Sequence, residues 1–157
     1  MVDPNKKIIH ASCVQFLSKG LLIVGPSASG KSDLALRLMD EGARLVSDDQ
    51  VEISVVQDPI PRIRAQAPER IKGLIELRGY GIVPVPFEPW THLDLVIELK
   101  PFKELERLSY LHSHLLLDCS LPKMMVDAAW PSSVSRIKVV LSMISEKMTP
   151  QSLSNMS

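Results

Sequence analysis

The chain has 157 residues, 45% of them apolar and 23% charged, which suits one domain with a substantial core and excludes a disordered or fibrous polymer. Eighteen basic and eighteen acidic residues cancel, so no overall field directs the protein to nucleic acid or to a membrane surface. No apolar stretch approaches the roughly 20 residues of a membrane span. The first residues also lack the apolar segment of a signal peptide, so the expected location is the cytoplasm. Cys13 and Cys119 stand far apart and outside any Cys-x-x-Cys pair, which predicts ordinary buried thiols.

In chain order, Lys7 to Leu17 is rich in β-branched and apolar residues. It reads as a strand that turns at Ser18, Lys19 and Gly20 and pairs with the apolar run Leu21 to Val24. Gly25, Pro26, Ser27, Ala28, Ser29, Gly30, Lys31 and Ser32 then complete the phosphate-binding pattern G-x-x-x-x-G-K-[ST]. A glycine-rich loop between strand and helix turns backbone N–H groups toward one point. Lys31 adds a cation for β- and γ-phosphates, and Ser32 a hydroxyl ligand for Mg²⁺. The expected ligand is a nucleoside triphosphate or another polyphosphate. A helix over 31 to 41 follows, with Leu34, Leu38, Ala35 and Met39 on one side and Gly42 as its cap. Residues 21 to 49 have the length of a βαβ unit, which predicts that Leu21 to Val24 and Ala43 to Asp49 form a parallel pair with a right-handed crossover.

Val51 to Val56 alternates as a half-buried strand, with Pro59 and Pro61 ending it before a hairpin partner at Arg62 to Ala65. Pro68 to Gly73 reads as a short helix leading into Leu74 to Gly81. Three prolines make Val83 to Trp90 a surface loop or lid. His92 to Leu99 returns to strand alternation, and Leu115 to Leu117 and Met124 to Val126 suggest further short strands. From Ser132 onward, Val134, Ile137, Leu141, Ile144 and Met148 share a helical face. The organisation expected is a single domain over 1–148 and a flexible tail over 149–157.

Three further features point to chemistry. Asp48 and Asp49 close the strand after the loop helix, where open α/β sheets bind ligands, so one could serve Mg²⁺ and the other accept a substrate proton. In the segment Glu76, Leu77, Arg78, Gly79, Tyr80, Gly81, two glycines around an aromatic suggest close backbone approach. Glu76 offers a metal ligand there and Arg78 a phosphate cation. His10, on the strand expected beside the loop strand, could reach the phosphates. His112 and His114 sit in apolar surroundings without an acidic neighbour and read as structural or surface residues.

Together His10, the loop Gly25 to Ser32, Leu45 to Asp49, and Leu74 to Val83 with its Glu-x-Arg-Gly-x-Gly signature resemble the catalytic domain of HPr kinase/phosphorylase, over about residues 8 to 100. The resemblance implies an α/β P-loop kinase fold, shared with phosphoenolpyruvate carboxykinase, in which helices flank a mixed sheet. It implies an enzyme that uses ATP or pyrophosphate with Mg²⁺ to phosphorylate a serine of HPr, the phosphocarrier of the sugar phosphotransferase system. The reverse reaction removes that phosphate with inorganic phosphate and releases pyrophosphate. Carried over by motif, Lys31 contacts the β/γ-phosphates, Ser32 and Glu76 hold Mg²⁺ with Asp48 assisting, Asp49 accepts the seryl proton, and His10 matches an active-site histidine. A homo-oligomer, commonly a hexamer, is also implied.

Two departures stand out. The family's longer members carry an extra N-terminal domain, and this chain resembles the short, catalytic-domain versions. The Arg-Pro-Gly-Arg-Asn loop linked to dephosphorylation is replaced by Leu121 to Val126, where Lys123 is a partial substitute. Two other readings share the phosphate loop: a small-molecule P-loop kinase, and a nucleotide-sensing regulator without catalysis. A guanine-reading Asn/Thr-Lys-x-Asp motif is missing from the sequence, which argues against a GTPase.

Overall fold

A computed structural model describes residues 3–105 and 111–145. Its strands are β1 (Lys6–His10), β2 (Ser12–Phe16), β3 (Lys19–Val24), β4 (Arg44–Ser47), β5 (Gln50–Gln57), β6 (Pro61–Gln66), β7 (Leu74–Leu77), β8 (Gly81–Pro84), β9 (Thr91–Leu99), β10 (His112–Leu116) and β11 (Cys119–Val126). Its helices are α1 (Lys31–Asp40) and α2 (Ser133–Ser145). The main sheet runs β1-β5-β6-β9-β3-β2-β4, with β11 also on β9 and β10 beyond it, while β7 and β8 form a separate ribbon. This is the mixed α/β architecture expected of a P-loop kinase fold.

β9 holds the sheet together. One edge pairs in parallel with β3, and the other is divided between β6, at Thr91 and His92, and β11, at Val96 to Leu99. Each sheet face buries a core, because successive strand residues point to opposite sides. Leu21, Ile23, Leu95 and Ile97 pack under α1 and α2 with Leu34, Leu38, Ile137 and Leu141. Leu22 and Val96 join Val51, Ile53, Ile63 and Ala65 in the second core. A register slip between Gly20 and Leu21 lets Leu93 face the second core although Leu95 faces the first. Gly20 is fixed by crowding there, since a Cβ on it would lie 1.9 Å from the His92 carbonyl oxygen.

Several local expectations hold. The loop helix, the β5–β6 hairpin and the strand at His92 to Leu99 form where the patterns place them. Pro68 precedes a single 3-10 turn over Glu69–Ile71. In α2, Ile137 and Leu141 are buried, with Val134 and Ile144 packed beside them. Met148 and the tail lie outside the described residues. Cys13 is buried, which pushes its thiol pKa up, and Cys119 is half-buried.

Four expectations are corrected. The stretch Lys7 to Leu17 is two strands that part at Ala11, whose N–H bonds to the Asp49 carbonyl. Only β2 pairs with β3, and β1 pairs with β5 instead. The β2–β3 turn sits one residue earlier than the glycine suggests, at Leu17 and Ser18, both with positive φ. That is the geometry which matches strand twist in two-residue hairpins.

β3 and β4 are also not adjacent. β2 lies between them, antiparallel to both, and the parallel neighbour of β3 is β9. The tight β2–β3 hairpin fills the place that a simple βαβ unit would give to β4.

The third correction concerns Val83 to Trp90, which is strapped down rather than a free loop. Val83 and Pro84 belong to β8, the Val85 N–H bonds to the Gly73 carbonyl, and that of Glu88 to the Leu45 carbonyl. Pro84 and Pro86 alternate with Val83, Val85 and Phe87, which pack on the first core. The prolines therefore leave the pairing donors intact. Finally, the short strands at 115–117 and 124–126 are parts of a longer hairpin, β10–β11, with Leu117 and Asp118 in its turn.

Candidate active site

β2 runs antiparallel to its neighbours, so β3, β4, β9 and β11 all end at one edge of the sheet, and the site is built there. After β3, the chain turns through Ala28 (φ 62°) and Gly30 (φ 101°) into α1. The first helical bond is from the Leu34 N–H to the Gly30 carbonyl, which leaves the amides of Lys31, Ser32 and Asp33 without helical acceptors. Lys31 Nζ donates to the carbonyls of Gly25 at 2.9 Å and Pro26 at 2.8 Å. Burial lowers its pKa, opposed by the nearby Asp49 and Asp48 carboxylates. Ser29 Oγ is buried inside the loop without a hydrogen-bond partner. A Cβ on Gly25 would crowd that hydroxyl at 2.7 Å and the Leu99 Cβ at 3.3 Å, so glycine relieves close packing there. An orphan hydroxyl, free amides and a folded-back lysine fit a polyphosphate.

The two aspartates have different surroundings. Asp48 is buried; its Oδ1 accepts from Ser12 Oγ at 2.9 Å and Ser32 Oγ at 2.7 Å, and its Oδ2 lies 3.4 Å from the Glu76 amide. Asp49 has φ 70°, a left-handed conformation that carries its side chain outward, where it is 68% exposed. His10 Nε2 meets its Oδ1 at 2.9 Å. One carboxylate is thus bound to the phosphate-loop serine, while its neighbour remains open to an incoming group. The hydrogen-bonded oxygens of Ser32 and Asp48 are donors of the kind that suits Mg²⁺, which is typically held by one or two carboxylates plus substrate phosphates. Among the described residues no group of three or more His, Cys, Asp or Glu forms a cage of its own.

Other expected residues sit differently. His10 reaches the site from β1, opposite Gln50, and not from a strand beside β3. Glu76 brings its backbone to Asp48, with its side chain exposed, and Arg78 is exposed in the turn joining β7 to β8. Gly79 and Gly81 have φ 83° and 136°, and a Cβ on either would meet nothing within 4 Å. Their positive φ angles give the turn the backbone freedom it needs, and no side chain or backbone crowds them.

Two residues of the site escaped the sequence reading. Ser12 is a fully buried hydroxyl between Ala11 and Cys13, and its position in an apolar strand was the available signal. Arg70, in the 3-10 turn, donates to Gln50 Oε1 at 2.6 Å, one residue from Asp49. Only the proline and glycine bounding that turn were informative in the sequence.

Of the histidines read as structural or surface residues, His112 is exposed and His114 half-buried. Burial and then Lys123 lower the His114 pKa, with Glu98 opposing. Lys123 lies within β11 and bonds Glu98 Oε1 at 2.8 Å. That hydrogen bond is the largest influence holding the Glu98 carboxyl below its ordinary value, against the opposing effect of burial. A depressed carboxyl pKa stabilises the fold above the unfolded value, and the contribution is lost as pH falls through the folded one. Lys123→Met should therefore cost about 1 kcal/mol at neutral pH and much less near about pH 3, below the usual carboxyl pKa. Urea unfolding at both pH values measures this, and equal losses would refute the pairing.

Comparison with known proteins extends these observations. The family model described as "HPr Serine kinase C-terminal domain" matches residues 4–156. An HPr kinase/phosphorylase of Thermoanaerobacter sp. (strain X514) is 34% identical over 129 residues, covering 75% of this chain and 42% of that protein. The Geobacillus thermodenitrificans enzyme of the same name is 36% identical, with 75% and 41% covered. The chain thus spans under half the length of these curated relatives. The solved structure of the Hpr(Ser) kinase/phosphatase from Coxiella burnetii shares the fold, with TM-score 0.79 at 22% identity over 90% of this chain and 98% of that one. Among the described residues no helix is long and apolar enough to cross a membrane. With the phosphate loop, the paired aspartates and the Glu76 ribbon gathered at one sheet edge, and a family model spanning nearly every residue, the chain belongs to the HPr serine kinase C-terminal domain family.

Proposed function

We propose that the protein transfers a phosphoryl group from ATP to a serine of an HPr-type phosphocarrier. The observation that carries this reading is the contrast between the two aspartates: Asp48 is fixed to Ser12 and Ser32, while Asp49 stands exposed against His10. Phosphoryl transfer depends mainly on positioning and electrostatic stabilisation. The free amides of the loop and Lys31 hold the donor phosphates, and Arg78 stands in the neighbouring turn as a further cation. Ser32, Asp48 and Glu76 would hold Mg²⁺, which supplies positive charge to the transferring group. Asp49 accepts the seryl proton as the serine oxygen attacks the terminal phosphorus, and His10 orients that carboxylate.

In the reverse direction, inorganic phosphate attacks the phosphoserine phosphorus. Asp49 returns a proton to the departing serine oxygen, and pyrophosphate leaves, as microscopic reversibility requires. Pyrophosphate can then serve as donor in place of ATP. Lys123 is paired with Glu98, so it contributes no free cation to the second phosphate. This reading carries with it a cytoplasmic location and the hexameric assembly implied by resemblance.

The test is incubation of the chain with ATP, Mg²⁺ and a purified HPr carrier. One phosphate should be gained on one serine and lost again on addition of inorganic phosphate. A carrier that gains no mass while the nucleotide binds normally would exclude the kinase reading.

A further inference from the structure

On the side of β3 away from the aspartates, the ends of β9 and β11 carry two aromatic residues that the reaction described above does not use. Phe102, just past β9, is 66% exposed. It meets Trp130, just past β11, edge to face, with ring centroids 5.8 Å apart at 65°. The Arg136 guanidinium covers Trp130 at 4.3 Å, so Phe102 presents the open ring.

This pair is held rigidly against the phosphate loop. Asp127 joins the two strand exits: its Oδ2 accepts the Phe102 N–H at 2.7 Å and its Oδ1 the Ala129 N–H at 2.8 Å. Arg37, on the loop helix α1, donates to the carbonyls of Ala128 at 2.7 Å and Trp130 at 3.1 Å. Ala128 touches the loop itself, since a Cβ on Gly30 would lie 3.1 Å from its side chain. An exposed aromatic on a mobile turn would carry little meaning, but here one hydrogen bond ties Phe102 to Asp127, and two from Arg37 tie the segment bearing Trp130 to the loop helix.

Direction supplies the remaining argument. The acids follow β4, on the β2 side of β3, whereas the aromatic pair lies on the β9 side. The phosphate that is transferred must be at Asp49, so the rest of the donor extends across the loop toward Phe102. We infer that Phe102, backed by Trp130, is the stacking platform for the nucleobase of the donor. The site consequently favours a nucleoside triphosphate over a bare polyphosphate. This rests on the donor-cradle reading above and adds to it the part of the donor that is not phosphate.

The experiment compares ATP with tripolyphosphate, which has the phosphate chain and no nucleoside, by calorimetric titration in the presence of Mg²⁺. Loss of base stacking should weaken ATP binding to Phe102→Ala by about tenfold or more. Tripolyphosphate binding should stay within about twofold of wild type, and GTP should weaken as ATP does because stacking is tolerant of base identity. Phe102→Trp, which keeps a ring, should restore ATP binding. Unchanged ATP affinity in Phe102→Ala, or equal losses for ATP and tripolyphosphate, would overturn the platform. Failure of the wild type to bind either ligand would instead overturn the cradle, and the platform with it.

Discussion

Asp49→Asn should lower phosphoryl transfer to the seryl acceptor by about a hundred- to ten-thousand-fold, the usual contribution of a positioned general base, while ATP binding should be largely retained. Asparagine is the informative replacement because it tolerates positive φ, so the left-handed turn that exposes this residue survives. The side-chain oxygen can still face His10, so what is removed is the negative charge and with it the capacity to take a proton. Single-turnover transfer and equilibrium ATP binding separate the two effects. Wild-type transfer by Asp49→Asn would show that the seryl proton leaves by another route.

Asp48→Asn is expected to behave differently, since this carboxylate also holds the structure together. Its Oδ1 receives two hydroxyl protons and its Oδ2 faces the Glu76 amide, so all its partners are donors. An amide can keep its oxygen on the Glu76 N–H only by turning its nitrogen to Ser12 and Ser32, whose hydroxyls must then reverse from donors to acceptors. Exchanging charge-assisted hydrogen bonds for neutral ones should cost about 1–3 kcal/mol of stability and loosen the β7–β8 ribbon from the phosphate loop. Loss of the carboxylate should also raise the Mg²⁺ concentration needed for transfer by about 10- to 100-fold. Denaturant unfolding and a Mg²⁺ titration of transfer measure the two losses. A variant as stable as wild type would mean that Asp48 does not join these elements.

Comparing these residues shows what the sequence could disclose. Lys31, Ser32 and the entering strand and leaving helix lie within a dozen residues of one another, and their geometry is set by local rules. Asp48 and Asp49 were legible because they follow one helix later at a strand end. Ser12 was not, because its partner is Asp48, and only the placement of β2 between β3 and β4 brings the two together. The same non-local pairing put β1 on β5 and so delivered His10 by an unexpected strand. The glycines of the β7–β8 turn were legible as a pattern, and the structure adds their positive φ angles.

The divided edge of β9 bears on the order in which the protein can become active. Gly25 rests against Leu99, the last residue of β9, which would lie 3.3 Å from a Cβ at that glycine. While the chain is being synthesised, β3 has β2 beside it early, but its other side stays bare until β9, Thr91–Leu99, has emerged. Pairing across such a sequence separation is slow compared with closure of a hairpin. The phosphate loop is therefore encoded ahead of the strand that completes its floor, and stays unsupported on that side until β9 has paired with β3.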